Sequence, residues 1–461
     1  MLRTSGTSSS PRARASTVRA TTDRSHDALL VPGPGPAPPT GLRLESVIST
    51  GTTPALVAST KRADVVGPLL AHADAQRPLV WSRRGDGLVG IGEVLRLEFS
   101  GPERMRDAAA AWREVASAAT VTDGVQVSGS GLVAFGTFAF SAESEARSVL
   151  IVPRTIVGRH GSTTFVTRIR RADEPDDDAR LTASRRFGDE FRISLSAGEE
   201  TADGYIDHVG QAIDRIASGA LSKVVLAREL SGHVPAGADL RRVITDLALG
   251  YPDCWTFAVD GLIGSSPETL VRVEAGTVGA RVLAGTASRG VNAEADQKAA
   301  LALVTSTKDQ DEHQFAVRSA VESLRPHTRH LATSEVPFAL KLPNLWHLAT
   351  DLEGAIDGGA SSIDLIDAMH PTAAVAGSPR EEAVALIAEL EPFDRGRYSG
   401  PVGWVDASGD GEWAIALRCA QVDEDGDVTA YAGCGIVVDS DPAAELAETR
   451  MKFRPIVDAF G

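Results

Sequence analysis

The sequence predicts a mixed α/β (α+β) fold, built as one large unit or two domains, and three observations predict it. The chain has 461 residues, too long for one small domain. Its 43% hydrophobic content is ordinary for a globular protein and supplies a sizeable core. Its apolar residues switch repeatedly between short strand-like runs and the three- and four-residue spacing of helix faces.

Composition excludes several function classes. The formal net charge of -16 argues against a nucleic-acid or anionic-membrane partner. It favours solubility and draws divalent cations, but it does not select a substrate. Three cysteines (Cys254, Cys419 and Cys434) form an odd set without metal-ligand spacing, which points to a reducing compartment and no disulfide framework. No apolar run approaches a transmembrane length. The expectation is a cytoplasmic protein with no membrane partner.

Residues 1–41 read as a disordered N-terminal tail. They are rich in Ser, Thr, Pro and Ala, carry five arginines without Lys or Glu before Gly41, and include the run Val31-Pro32-Gly33-Pro34-Gly35-Pro36. Such composition buries too little apolar surface to order itself. The Pro-Gly interruptions would spoil an amphipathic helix, so a plain tail or an over-extended start fits better than a transit peptide.

Residues 42–200 suit short strands and a few helices. Pro78–Ser82 and Gly87–Gly92 read as strands around a turn at Arg84-Gly85-Asp86-Gly87. Met105–Ala119 reads as an Ala-rich helix, Leu132–Phe140 and Val149–Arg154 as strands, and Arg168–Arg180 as a charged loop. No catalytic spacing stands out, so this half is assigned to scaffold.

The pattern changes near residue 201. Tyr205, Val209, Ile213 and Ile216 mark one helix face, and a turn at Gly219-Ala220-Leu221 leads into the strand Lys223–Arg228. A lysine at such a position is usually a snorkelling edge residue. Leu240, Val243, Ile244 and Leu247 mark a helix, and Cys254–Val259 a strand. Gly264–Leu270 reads as a small-residue loop that delivers Glu268 to the mouth of a strand, either as a capping acid or as a general acid on a stiff loop. Leu283–Gly290 reads as a Gly/Ser/Thr loop, without the Lys-Ser/Thr ending of a nucleotide P-loop.

Ala293–Thr307 and Asp309–Leu324 read as helices, with Glu312 in the first turn of the second and His313 packed. Leu345–Leu348 is a short strand or loop carrying His347. Ile363, Ile366 and Met369 mark a helix that ends at His370-Pro371, and Ser378-Pro379 restarts one through Leu390. Pro401–Asp406 and Trp413–Gln421 read as a hairpin, and alternation sets Arg418 opposite Leu417 and Cys419. Cys434 reads as a small buried residue between two glycines. Asp441 suits a helix cap and Pro442 the first turn. Glu445, Glu448 and Lys452 then share one helix face, which is either a solvated acidic face or a seat for a hard divalent cation.

These pieces resemble one family in combination. Lys223–Arg228, Ser266-Pro267-Glu268, Gly285-Thr286-Ala287, Lys308-Asp309 with Glu312-His313, His370-Pro371-Thr372, Tyr398-Ser399-Gly400 and Gly435 through Thr449 occur in the order seen in chorismate-utilising enzymes. That family includes isochorismate, salicylate and aminodeoxychorismate synthases and the large subunit of anthranilate synthase. The likeness is dense from about Tyr205 to Phe460, and residues 201–461 are taken as the chorismate-binding catalytic region. The resemblance implies an anthranilate synthase large-subunit-like fold: two stacked, mostly antiparallel sheets with outer helices. It also implies one Mg2+. Glu312 and Glu445 match its direct ligands, and Glu448 an acid that reaches it through water. Arg418, Tyr398 and a loop at Gly433 and Gly435 match groups that hold the pyruvyl carboxylate, and Lys452 a helper at the ring carboxylate. Gly285, Thr286 and Ala374 also match substrate-binding positions, and His347 matches a site histidine of underived role.

The choice among members turns on the nucleophile. Members that use water carry a lysine at the Lys223 position. Lys223 is therefore expected to be the base that draws a proton from water attacking C2 of the ring, with Glu268 protonating the departing C4 hydroxyl. For that, Lys223 must be partly deprotonated, which burial or a nearby cation favours. Ala284 stands where aminodeoxychorismate synthases often have lysine, and Ala374 where salicylate and anthranilate synthases usually have threonine. The expectation is an isomerase that converts chorismate to isochorismate for menaquinone or siderophore synthesis, as a monomer without a glutamine amidotransferase subunit. The alternatives are a salicylate synthase or a non-catalytic chorismate-binding subunit.

Overall fold

The computed structural model describes residues 42–45 and 55–461, apart from 66, 176–183, 185, 335, 343 and 344. The side chains of residues 42–45, Lys308 and Glu312 also lie outside the described residues, as does the N-terminal tail. Two sheets, of 11 and 13 strands among the described residues, organise the chain. Pairing is antiparallel except where Leu42–Glu45 runs along Leu95–Phe99 and Leu56–Arg62 along Thr120–Asp123.

Both sheets combine early and late strands. In the first, Val133–Thr137 pairs with Pro401–Asp406, which leads on through Gly411–Ile415, Thr269–Glu274 and Thr277–Ser288 to Leu345–Ile356. In the second, Trp255–Val259 pairs with Leu79–Arg83 on one side and Leu262–Ser266 on the other. Lys223–His233 and Asp427–Ile436 pair beyond these. Residues 42–200 therefore share their hydrogen-bond ladders with residues 201–461.

Period-two alternation explains the layering. Trp255, Phe257 and Val259 point into the main core, where they meet Phe135, Leu150 and Trp413 of the other sheet. Ala258, between them, points to a second core with Val243, Ile244 and Leu247 of helix Arg241–Gly250 and Phe453 and Ile456 of helix Pro442–Phe460. The sheets thus stack face to face with helices outside. Phe257 and Trp413 are completely buried. Truncating such a side chain to alanine costs about 3–5 kcal/mol, transfer and cavity terms together.

Local chemistry starts the helices. Thr201, Asn292, Ser306 and Asp441 each accept a backbone N–H as N-caps. Ser361 and Asp364 form a reciprocal capping box for Ser362–Met369. Among the described residues, no helix is long and apolar enough to cross a membrane.

Several segments differ from the sequence reading. Gly264–Ser266 ends a strand and is not a loop. Leu283–Ser288 completes the 12-residue strand Thr277–Ser288; its small residues reflect a bulge at Gly285, which takes φ +78° where the register slips. Arg168–Arg171, read as the start of a charged loop, belongs to strand Thr163–Arg171. Gly433 and Gly435 lie within strand Asp427–Ile436. The predicted strand Trp413–Gln421 is two strands, Gly411–Ile415 and Cys419–Val422, in different sheets. Arg418 sits at the break in the left-handed region, φ +50°, and does not follow the alternation.

Candidate active site

Two crossings between the sheets lie side by side. The chain leaves the second sheet at Ser266, passes Pro267 and Glu268, and enters the first at Thr269. It returns from Ile415 through Ala416, Leu417 and Arg418 to Cys419. The crossings are stitched together: Ile415 N–H donates to the Glu268 carbonyl at 3.2 Å, and Ser265 N–H to the Arg418 carbonyl at 3.1 Å. An acid and a cation are thereby fixed on paired, stiff backbone.

Glu268 is 6% exposed. Burial pushes its carboxyl up to about 8; the charges of Lys223, Arg418 and Lys452 pull the other way without prevailing. It is therefore mostly protonated at neutral pH. Lys223 opens strand Lys223–His233, half-buried and opposite Ser378. Glu268 also lines a small cavity with Leu270, Arg281, Met369, Thr372 and Ala374. The predicted position Ala374 thus lies beside the acid.

The other wall is the last helix. Asp441 caps Pro442–Phe460 through the Ala444 N–H at 2.8 Å. About three turns on, Lys452 Nζ donates to Glu448 Oε1 at 2.7 Å and to the Gly433 carbonyl at 2.8 Å. Gly433 permits close strand packing, since a Cβ there would come 2.7 Å from the Leu226 carbonyl oxygen. Burial raises the Glu448 carboxyl, but Lys452 and Arg418 outweigh it and the net shift is downward. Burial opposes the charge on Lys452, yet its partners hold its proton more tightly than usual. Glu445 and Glu448 place carboxylate oxygens within 4.8 Å of each other and of Cys434 Sγ. Two ionisable oxygen donors on one helix face suit a hard divalent cation.

His347 completes a third side. It pairs with Thr286 across the Gly285 bulge. Burial, then the charges of Arg418 and Lys452, lower its imidazole to about 3, so it is neutral. Nδ1 lies 3.1 Å from Thr286 Oγ1 and 3.4 Å from the Gly285 carbonyl. A carbonyl only accepts, so Nδ1 carries the proton and Nε2 is a bare acceptor, buried and without a partner among the described residues. A ligand hydroxyl would satisfy it.

The charges of Lys223, Arg418 and Lys452 thus act on Glu268, and those of Arg418 and Lys452 act on His347 and Glu448 as well, which ties the three sides into one electrostatic cluster. Tyr398 is buried and stacked on Tyr431 at 5.2 Å, within reach of the Lys452 charge. Gly435 lies opposite Val225 in the strand ladder. The Glu312 side chain lies outside the described residues, so its place relative to Glu445 is not part of this geometry. His313 is packed, with Nε2 2.7 Å from Thr350 Oγ1. Sequence reasoning left Cys434 to packing. Its approach to Glu445 and Glu448 joins a strand to a helix, and no local spacing reports such a contact.

Similarity to known proteins accords with this geometry. A family model described as chorismate binding enzyme matches residues 44–461. The isochorismate synthase MenF of Bacillus subtilis (strain 168) is 31% identical over 402 residues, covering 81% of this chain and 85% of that protein. A solved structure of a putative 2,3-dihydroxybenzoate-specific isochorismate synthase, DhbC from Bacillus anthracis, superposes with TM-score 0.70 at 29% identity, over 85% of this chain and 98% of that one. Anthranilate synthase component I from Streptococcus pneumoniae TIGR4 superposes with TM-score 0.67 at 20% identity, over 86% and 98%, a likeness of fold alone.

Proposed function

The chain belongs to the chorismate-binding enzyme family, and from that premise we propose that it is an isochorismate synthase, isomerising chorismate to isochorismate for menaquinone or siderophore synthesis. The observation that carries the reading is Glu268: a buried carboxyl, protonated at neutral pH, within reach of the Lys223 charge. A fold shared with anthranilate synthase component I does not choose the nucleophile. An acid and an amine within reach of each other's charge suit a reaction in which water enters and a hydroxyl leaves.

Lys223 takes a proton from the water that attacks C2. Glu268 gives its proton to the C4 oxygen, which departs as water, so one water enters and one leaves. Arg418 and Lys452 supply positive charge for the substrate's two carboxylates. The bare Nε2 of His347 accepts from a substrate hydroxyl. Glu445 would hold Mg2+ together with Glu312 from its helix, and Glu448, beside Glu445, would reach it through water. When bound, Mg2+ neutralises and orients a substrate carboxylate.

The test is product analysis. Purified protein with chorismate and Mg2+ should yield isochorismate, and the reverse reaction should run from isochorismate. Fluorescent salicylate would show a further pyruvate elimination. No turnover would contradict the reading.

A further inference from the structure

Glu268 borders a cavity that has no part in the acid–base step itself. Its volume is about 20 Å3, room for one water, which needs about 10–15 Å3. Ala316, Ser319, Ala320 and Ser323 line it from helix Thr307–Leu324, and their spacing of three and four puts them on one face. Thr372 lines it as well, and its Oγ1 is buried without a partner among the described residues. The Thr372 carbonyl accepts from Val375 N–H at 3.1 Å and from Ala376 N–H at 3.0 Å, so the residue is fixed in its turn. Ser319 and Ser323 are half-buried whereas Glu268 is buried, so the polar groups of the cavity run from the acid toward the surface. Arg281, the other charged group there, is held by Asp351 at 2.6 Å and keeps its proton.

Each turnover leaves the acid–base pair in the wrong form for the next. In the forward direction Lys223 ends as an ammonium and Glu268 as a carboxylate. The amine must then lose a proton and the buried carboxylate must regain one. A buried water with two to four polar partners can carry that proton. We propose that this cavity holds the water through which Glu268 regains its proton, with Thr372 positioning that water and Ser319 and Ser323 linking it to solvent. An O–H bond of the water breaks as the carboxyl O–H bond forms. The water takes a replacement proton from solvent while Lys223 releases one to solvent, so charge balances and no electrons are transferred. In the reverse direction the same route carries the proton out. The inference rests on the reading of Glu268 as the acid and adds how that acid is reset.

Steady-state kinetics of the full chain in both directions tests it. The reset follows product release, so slowing it limits kcat and leaves kcat/KM alone. Thr372→Val keeps the shape of threonine without its hydroxyl. It should lower kcat by about 100-fold in each direction, the low end of what a proton-transfer group contributes. KM should fall in step, so that kcat/KM is kept, and Thr372→Ser should restore the wild-type kcat. An unchanged kcat in Thr372→Val would overturn the proposal. So would a kcat/KM that falls together with kcat, since that marks a disturbed substrate site. If Thr372→Val does not fold, the double variant Ser319→Ala, Ser323→Ala decides: a lowered kcat with kcat/KM kept supports the route, and any other result overturns it. A wild type that makes no isochorismate defeats the isochorismate synthase reading and this inference with it. A wild type that does, beside a Thr372→Val variant that keeps its kcat, defeats this inference alone.

Discussion

Glu268 and Glu448 are the same residue type and both feel the charges of Arg418 and Lys452, yet they sit in opposite states. Burial pushes both carboxyls up. Three cations act on Glu268 through their charge, and it still titrates near 8. Glu448 has Lys452 Nζ at 2.7 Å, and that bonded cation takes it below the ordinary range. A cation in direct hydrogen-bond contact offsets desolvation where cations acting through charge alone do not. The crossing between the sheets thus stores a proton, while the last helix stores negative charge. An acid catalyst needs the first and a cation site needs the second.

The largest effects should come from the proton-handling end. Lys223→Ala and Glu268→Gln should each lower turnover by a factor of roughly 100 to 10000 in both directions, the usual cost of losing a general acid or base. Chorismate binding, followed by calorimetry, should be largely kept, since Arg418 and Lys452 remain. Near-normal conversion by either variant would remove the proton-storing half of the comparison.

The charge-storing end should respond differently. Glu445→Gln should impair activity severely and excess chelator should abolish it. Glu448→Gln should lower Mg2+ affinity by about 10- to 100-fold. Full activity in chelator would sink the metal assignment.

Lys452→Met should turn Glu448 into a second Glu268. Without its partner the Glu448 carboxyl rises, and the variant should lose up to about 3 kcal/mol of stability at neutral pH, the upper range for a hydrogen bond to a charged group. The sign follows from the lowered native pKa. The stabilisation is present above 4.5 and is lost as pH falls through the native value. Denaturation curves of the two proteins should therefore converge at low pH. A constant gap would mean that Lys452 acts through packing.

The smallest effect should come from the tail. A chain starting at Gly41 should fold and turn over normally, because the removed composition cannot offset its own ordering entropy. Loss of folding would show that the tail contributes to the body.

What was legible in the sequence was periodic or local. Glu445, Glu448 and Lys452 could be placed on one face because helix spacing and the Asp441-Pro442 start define it. The core faces of helices Ala202–Ala217 and Arg241–Gly250 followed from the same period, with Tyr205, Val209, Val243 and Ile244 buried. What failed was whatever changes sheets. Trp413–Gln421 is apolar and alternating enough to pass for one strand, and nothing in that pattern marks Arg418 as left-handed. The small residues of Leu283–Gly290 imitate a loop because a bulge needs the same glycine that a turn does. The protonated state of Glu268 and the bare Nε2 of His347 depend on burial by distant segments, which spacing cannot report.

The pH dependence of kcat/KM tests the central claim most directly, measured in both directions for wild type and Glu268→Gln. The active form carries one proton shared between Lys223 and Glu268, so both directions must follow the same profile. Wild-type rates should rise as pH rises through about 8, where Glu268, beside a charged Lys223, loses its proton and leaves the pair with one. The variant's much lower residual rate should lack that limb. A wild-type profile flat through this range, or a limb that persists in Glu268→Gln, would contradict the assignment of Glu268 as the stored acid.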